Sequence, residues 1–574
     1  YLDDKTPTIL PQPVFVGGSN ANPDYNTIAG FDPRTDSLYS PFLTPAQSLD
    51  GNNNPASYDF RDGLSVRSLA FGIESEIDVG SGWTLTNRFR FADNSGSFQS
   101  PFPAGADTAQ NVANGIGGAG STISFATGPN SGQVANAVNI GGNGLLANVV
   151  VFNVRLNSLD NVTNDFRVNK QFDFGGGSAN FTTGFYLSRQ SINTDWVWTS
   201  HVQTIQGDGQ AVLVDIRNAA GDLVTQNGTV GFGASFFGNC CRRNYDVDYS
   251  TYAPFASLSV ELDRLTIDAS IRYDYGDASG TITGSDTGFG VGVGSFDFDR
   301  NGTISPAEAQ TSILPLGNAR PVNYEFDYFS FSLGANYLLS DDLGVFARYS
   351  QGGRHTADRS LFSPAVSALD GSLPGGDQGV VATVDQLEAG LKYQANGLSL
   401  FATGFFAKTA ETNVDIAPVV LFDTEFEAYG LELEGAYRTG PFSLSAGVTW
   451  TDAEIVDALA ADTIGNTPRR QADFVYQATA QYDADQFTLG ANVVGTTESF
   501  TQDNNDLVLP AFAQVNAFLA FRPMDRIEVG LNAQNLFNVT GFTEAEEGSI
   551  PANGIVRARS IAGRTILASV RFDF

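Results

Sequence analysis

The sequence predicts an all-β fold, a transmembrane antiparallel β-barrel of the outer-membrane type. Three observations predict it. The 574 residues include 62 Gly, 44 Phe and 19 Tyr, yet only 16% are charged, against roughly 25% in an ordinary soluble protein. No apolar run reaches the ~18–20 residues of a membrane-spanning helix, so any crossing falls to strands. Pairs of alternating strands joined by tight turns recur along the chain, and the connections alternate between short and long, as periplasmic turns and extracellular loops do.

The elements follow in order. Leu69, Phe71, Ile73, Ile77 and Val79 alternate with mostly polar residues. After Gly80-Ser81-Gly82, the apolar set Trp83, Leu85, Phe89 and Phe91 alternates with Thr84, Thr86, Arg88 and Arg90. A period of two places each set on one face of a strand. The same unit returns at Phe166–Phe174 with Phe181–Leu187, Leu258–Leu262 with Leu265–Tyr273, and Phe329–Tyr337 with Leu343–Tyr349. Leu387–Tyr393 crosses Asn396-Gly397, the strongest short hairpin signal, into Leu398–Phe406. Leu431–Tyr437 with Phe442–Trp450, Phe474–Tyr482 with Phe487–Val493, and Val515–Phe521 with Ile527–Leu531 complete the pairs, before a last strand from Ile566. The other face carries Arg88, Arg90, Arg167, Lys170, Arg272, Arg348, Glu432 and Glu434, which suit a water-filled lumen. A secreted sandwich array or solenoid is the alternative, disfavoured by the length and number of the strands. Residues 69–574 are expected to form the barrel, with long polar segments near 92–161, 191–248, 277–323 and 354–380. The Pro- and Asn-rich residues 1–68 are expected to hold one or two partial strands and an extracellular loop.

The chain ends Val570-Arg571-Phe572-Asp573-Phe574. Apolar Val570, Phe572 and Phe574 on alternate positions look like the insertion signal of bacterial outer-membrane proteins. The expected partners are outer-membrane lipid and, during insertion, the barrel-assembly machinery. The formal charge of −32 excludes nucleic acid, because phosphate binding needs clustered Lys and Arg.

Segments 386–392 (QLEAGLK), 427–435 (EAYGLELEG), 530–538 (GLNAQNLFN) and 563–574 (from Gly563-Arg564-Thr565) stand in this order. They resemble the barrel of TonB-dependent outer-membrane receptors over about residues 330–574. The resemblance implies an extracellular solute bound at the outer face and a plug moved by energy from TonB. The expected function is active uptake of a bulky nutrient, either a glycan, a metal chelate or another large solute. A glycan is favoured by loop aromatics and the absence of a cationic lining. A plugless porin or a surface-binding barrel are the alternatives. Counting back from Phe574 gives about 17 strands, against about 22 for plugged transporters of this type. The expectation is a chain with plug and first strands absent, Tyr1 lying near the fifth strand; the alternative is a porin of about 18 strands.

The loops hold the candidate sites. Asp297, Asp299, Asn301, Thr303, Ser305 and Glu308 match the calcium-loop spacing of positions 1, 3, 5, 7, 9 and 12, with Gly302 at position 6. Ser305-Pro306 reads as the start of a short exiting helix, whereas the incoming 284–296 does not look helical. Structural calcium is the expected cofactor, and an acidic solvated turn is the other reading. Adjacent Cys240 and Cys241 are candidates for a disulfide in an oxidising location, or remain thiols or a metal site. Trp196 and Trp198 share a face, as part of a membrane-interface girdle or as a stacking platform for a ligand. Arg354, His355 and Arg359 form a basic cluster that could meet an anionic ligand, a lumen ion-pair network or a plug. No catalytic constellation is present: the two histidines, His201 and His355, lie in separate loops, and no phosphate loop or zinc spacing occurs.

Overall fold

A computed structural model describes residues 1–43, 46–136, 138–284, 292–357, 366–374, 376–416, 419–524 and 526–573. The principal sheet contains 20 strand segments. Two of them, Leu2–Thr6 and Thr229–Gly231, are short additions at the long-loop end. Two more, Leu145–Ser158 and Asn161–Phe174, both lie between the same neighbours and form one broken strand. Seventeen long antiparallel strands therefore make the wall among the described residues.

In chain order they are β1 (Leu64–Gly80), β2 (Trp83–Thr108), β3 (Leu145–Ser158 and Asn161–Phe174), β4 (Gly177–Thr204), β5 (Arg243–Leu262), β6 (Leu265–Gly284), β7 (Arg320–Ser340) and β8 (Leu343–His355). They continue as β9 (Val381–Ala395), β10 (Leu398–Ile416), β11 (Val419–Thr439), β12 (Phe442–Asp457), β13 (Phe474–Asp483), β14 (Phe487–Thr496), β15 (Phe512–Met524), β16 (Ile527–Gln534) and β17 (Thr565–Phe572). Every hairpin expected from the alternation is present. At the sharpest turn, Asn396 and Gly397 both take positive φ (49° and 79°), as a two-residue hairpin turn requires.

One face of each strand is apolar and exposed: Leu391, Leu400, Leu433 and Leu444 are 43–51% accessible. They sit on consecutive strands, and the ladder places Leu391 opposite Ala402, Ala402 opposite Leu433, and Leu433 opposite Val448. This is the lipid-facing band. The opposite face is polar, and a cavity against it is lined by Asn180, Thr182, Ser257, Ser270, Ser332 and Arg348.

Three expectations change. Lys170 is not on the lumen face: it is the ladder partner of Trp83, and its ammonium lies 5.2 Å from the Trp83 ring and 5.3 Å from that of Phe172. It shares the parity of Phe166, Val168 and Phe172, so its stem packs with apolar neighbours while the amine reaches the tight-turn rim. The barrel begins at Leu64, five residues before the first apolar repeat. The long segments are also shorter than expected, because β2, β4, β5 and β6 run far past the apolar band, β4 reaching 28 residues in all. Beyond the bilayer neither face meets lipid, so the apolar alternation that marks a strand disappears.

Those extensions form the mouth. Segment 28–43 covers their outer side through Ile28, Phe31, Leu38 and Leu43, packed on Val149 and Val151 of β3. A short helix, Ala109–Gly117, capped by the Thr108 hydroxyl, packs with Ile123, Phe125 and Val214 against Leu146 and Val202. Strand Gln12–Ser19 pairs with Ile555–Ser560, which ties residues near the start of the chain to the loop before β17. Val570 and Phe572 are both more than half exposed on β17, opposite Val529 and Ile527; Phe574 lies outside the described residues.

Candidate ligand-binding mouth

Trp196 and Trp198 face inward. The β4–β5 ladder runs without a register shift from Ser178 opposite Glu261 to Trp196 opposite Arg243, so parity is preserved along it. Both tryptophans share the parity of Asn180 and Thr182, which line the lumen, and not that of lipid-facing Phe181, Phe185 and Leu187. The girdle reading therefore fails for this pair. Sequence spacing put both rings on one face, but only the unbroken register tells which face.

Around them stands an aromatic wall that sequence reading missed. Phe152 of β3 is the ladder partner of Trp198, with ring centroids 4.2 Å apart at 64°. Phe98 and Phe102 of β2 lie edge-on to Phe152 at 6.2 and 5.7 Å, and Phe237 is 6.1 Å from Phe102. Edge-to-face contacts of this kind favour fixed ring orientations. Two guanidinium groups cover the wall: Arg243 lies 4.7 Å from the Trp196 ring centre and Arg557 5.4 Å from that of Phe102. Trp198 is 5% accessible and forms the floor, whereas Phe98, Phe102, Phe152 and Trp196 remain partly exposed. Phe98, Phe102 and Phe152 lay in a segment taken as loop, where a strand period could have revealed them. Neither arginine is a free cation of the lining: Arg243 is 3% accessible and Arg557 is paired with Glu547 at 2.7 Å.

Cys240 and Cys241 are joined by a disulfide directly beside this wall, and the Cys241 carbonyl accepts the Trp198 indole N–H at 2.9 Å.

Of the basic cluster, only Arg354 and His355 lie among the described residues. After Gln351, β8 leaves its pairing with β7, whose ladder ends at Phe331 opposite Gln351. His355 turns into an aromatic nest, stacked on Phe326 at 3.9 Å and 11° and 3.1 Å from the Tyr324 hydroxyl. Burial pulls its pKa down to about 4, so it is neutral at pH 7. Arg354 remains exposed, and Arg359 lies outside the described residues. His201, likewise buried and lowered to about 4, is held by Gln203 at 2.7 Å.

The acidic loop folds back on itself. Carboxylate oxygens of Asp297, Asp299 and Glu308 lie within 4.8 Å of one another. Asp297 accepts the backbone N–H groups of Asn301 (3.1 Å) and Gly302 (2.9 Å), and the N–H of Gly302 leads the contacts that hold its pKa below the usual carboxylate range. Arg300 and Gly302 take positive φ of 57° and 79°. The exit is a single 3-10 turn, Glu308–Gln310, and not the expected helix. Ser305 and Glu308 make a reciprocal cap: the Ser305 Oγ accepts the Glu308 N–H at 3.1 Å and Glu308 Oε2 accepts the Ser305 N–H at 2.9 Å, the capping-box arrangement. Asn301 donates its amide N–H to Asp299 at 2.9 Å, and the Thr303 N–H goes to Asn301 Oδ1 at 2.7 Å. Gln226, from the loop that carries the cysteines, donates to Asp299 (2.9 Å) and Glu308 (3.4 Å) and accepts from the Ser305 hydroxyl (2.9 Å).

A transmembrane barrel whose strands extend into a loop-covered, aromatic-lined mouth is a receptor-type barrel of the bacterial outer membrane. The chain belongs to the TonB-dependent receptor family: a model described as TonB dependent receptor-like, beta-barrel, matches residues 11–536. The family comprises transport receptors of Gram-negative outer membranes that act with TonB on an extracellular ligand. Solved structures of similar fold include the siderophore receptor PiuA from Acinetobacter baumannii (TM-score 0.59, 15% identity, covering 100% of this chain and 70% of that one). The ferric preacinetobactin receptor BauA from Acinetobacter baumannii has TM-score 0.56 and 13% identity, covering 95% of this chain and 68% of that one. The ferric-catecholate import receptor Fiu from E. coli in its closed form has TM-score 0.58 and 15% identity, covering 89% and 64%. No curated protein sequence matches the chain. The expected absence of a plug is not borne out by these comparisons, which match a barrel model to residues 11–536 of a 574-residue chain.

Proposed function

We propose that this protein takes up a bulky chelate bearing aromatic groups, binding it at the inward wall of the mouth before TonB-driven import. The observation that carries this reading is the partly exposed aromatic wall of Phe98, Phe102, Phe152 and Trp196. Flat rings supply stacking area for the aromatic groups of a ligand. The names of three receptors of like fold, two for siderophores or their ferric complexes and one for ferric catecholates, support a chelate over a glycan. The apolar band meets outer-membrane lipid, and β17 with Val570 and Phe572 is the segment read by the barrel-assembly machinery. Uptake of a radiolabelled ferric catecholate by cells producing the protein is expected to stop when the proton gradient is collapsed. Uptake that persists would point to the passive, porin-like alternative.

A structural calcium ion in the 297–308 loop is a second proposal, resting on the twelve-residue spacing and the three converging carboxylates. Its role would be to lock that loop onto Gln226. Titration calorimetry of calcium into the detergent-solubilised protein should show one site, lost in Asp297→Ala; equal heat from that variant would refute the assignment.

A further inference from the structure

The residues Cys240–Arg243 hold the tryptophan pair from one side and a separate hairpin from the other. Cys241 presents its carbonyl to Trp198 Nε1 at 2.9 Å. Arg243 lays its guanidinium over Trp196 at 4.7 Å and points its Nε at the same Cys241 carbonyl, 3.4 Å away. Cys241 and Arg243 thus contact both indoles from one side.

This stretch is held in an unusual backbone path. Asn239 and Cys241 both take positive φ, 57° and 72°, a region that non-glycine residues seldom occupy. The peptide between the two cysteines is closed into a ring by their disulfide. On the opposite face Arg242 is 1% accessible. Its Nη2 donates to the Asp50 carbonyl at 2.7 Å and to Asn53 Oδ1 at 3.2 Å. Both acceptors lie at the tip of the hairpin Ala46–Leu49/Pro55–Tyr58. Asn53 in turn bridges to Leu314, donating to its carbonyl at 2.8 Å and accepting its N–H at 2.9 Å. Gly51 at the same tip sits so close to the wall that a Cβ there would fall 1.9 Å from Asp195 Oδ1. The hairpin tip is therefore docked tightly on the outer side of the strands whose inner side bears the tryptophans.

We propose that Cys240–Arg243 is a positioning strap: the disulfide and the Arg242 clamp fix the Cys241 carbonyl, which aims Trp198 and, through Arg243, Trp196 at the ligand. This rests on the aromatic wall being the ligand surface. The strap residues, Arg243 at 3% accessibility among them, need not touch ligand, so their effect on binding passes through the indole rings.

The test uses the full chain in detergent, with the iron(III) complex of 2,3-dihydroxybenzoate as probe, and reads probe affinity, tryptophan emission and thermal unfolding together. Trp198→Phe keeps an aromatic ring, smaller than the indole, and removes the N–H donor, while Cys240→Ser/Cys241→Ser opens the ring of the strap. Each is expected to weaken the probe about fivefold, the worth of one hydrogen bond of about 1 kcal/mol. The cysteine variant and dithiol-reduced wild type should also shift tryptophan emission to the red with unchanged barrel unfolding. Wild-type affinity in both variants and wild-type emission in the cysteine variant, alongside lost binding in Trp196→Ala, would overturn the strap and leave the wall reading intact. Wild-type affinity in Trp196→Ala would overturn the wall reading, whereas the ligand-free emission shift would still report whether the strap orients the indoles. If the double cysteine variant fails to fold, Trp198→Phe and reduced wild type decide the matter.

Discussion

Leu433→Arg is expected to destabilise the barrel by about 2–4 kcal/mol, the cost of a lipid-facing cation near the bilayer midplane, while Glu432→Arg one residue away leaves unfolding nearly unchanged. Leu433 lies on β11 between Ala402 of β10 and Val448 of β12, within the exposed apolar band. Glu432 lies between Thr403 and Thr449 and faces the lumen, where water solvates either sign of charge. The strand period of two makes adjacent positions opposite environments, so the pair tests the face assignment with the same introduced side chain. Urea unfolding in lipid vesicles, followed by tryptophan emission, measures both. Equal losses would mean that the ladder faces have been assigned wrongly or that this part of the wall is not in lipid.

Trp196→Ala is expected to cost ligand binding about 2 kcal/mol, or about 30-fold in affinity, the usual scale for a central aromatic contact. Trp198→Ala should do at least as much, because it removes the floor on which Phe152 and Trp196 rest, at 4.2 and 6.0 Å between ring centroids. The two losses should not add, since the rings touch one another. Binding of the ferric catecholate probe to purified variants, with far-ultraviolet circular dichroism as the folding control, checks this. Unaltered affinity in both would remove the mouth's aromatic wall from ligand recognition.

Nearly all of the membrane-spanning part was legible in the residues. Leu69–Val79 facing Trp83–Phe91 paired as their alternation demands, and so did each hairpin through Leu531, because lipid on one side and water on the other impose a period of two. Lys170 was misplaced because a charged residue was assigned by its charge, whereas its even position already grouped it with Phe166 and Phe172. Above the bilayer that selection ends. Phe98, Phe102 and Phe152 were hidden in what read as loop, and the Arg354–His355 pair read as cationic although its histidine is half-buried and neutral. The acidic loop was found by spacing, yet its contact with Gln226, 71 residues before Asp297, involves no local pattern.

The sequence by itself determined the barrel, its tight turns and the lipid-facing band, since those depend on nearest-neighbour alternation and on turn residues such as Asn396-Gly397. Only the tertiary structure decided which way Trp196 and Trp198 point, what covers them, and how Cys240–Arg243 ties them to a hairpin some 190 residues earlier in the chain. The physical reason is one of range. Alternation is written along a single strand, whereas the mouth is assembled from cross-strand register and loop packing between residues far apart in the chain.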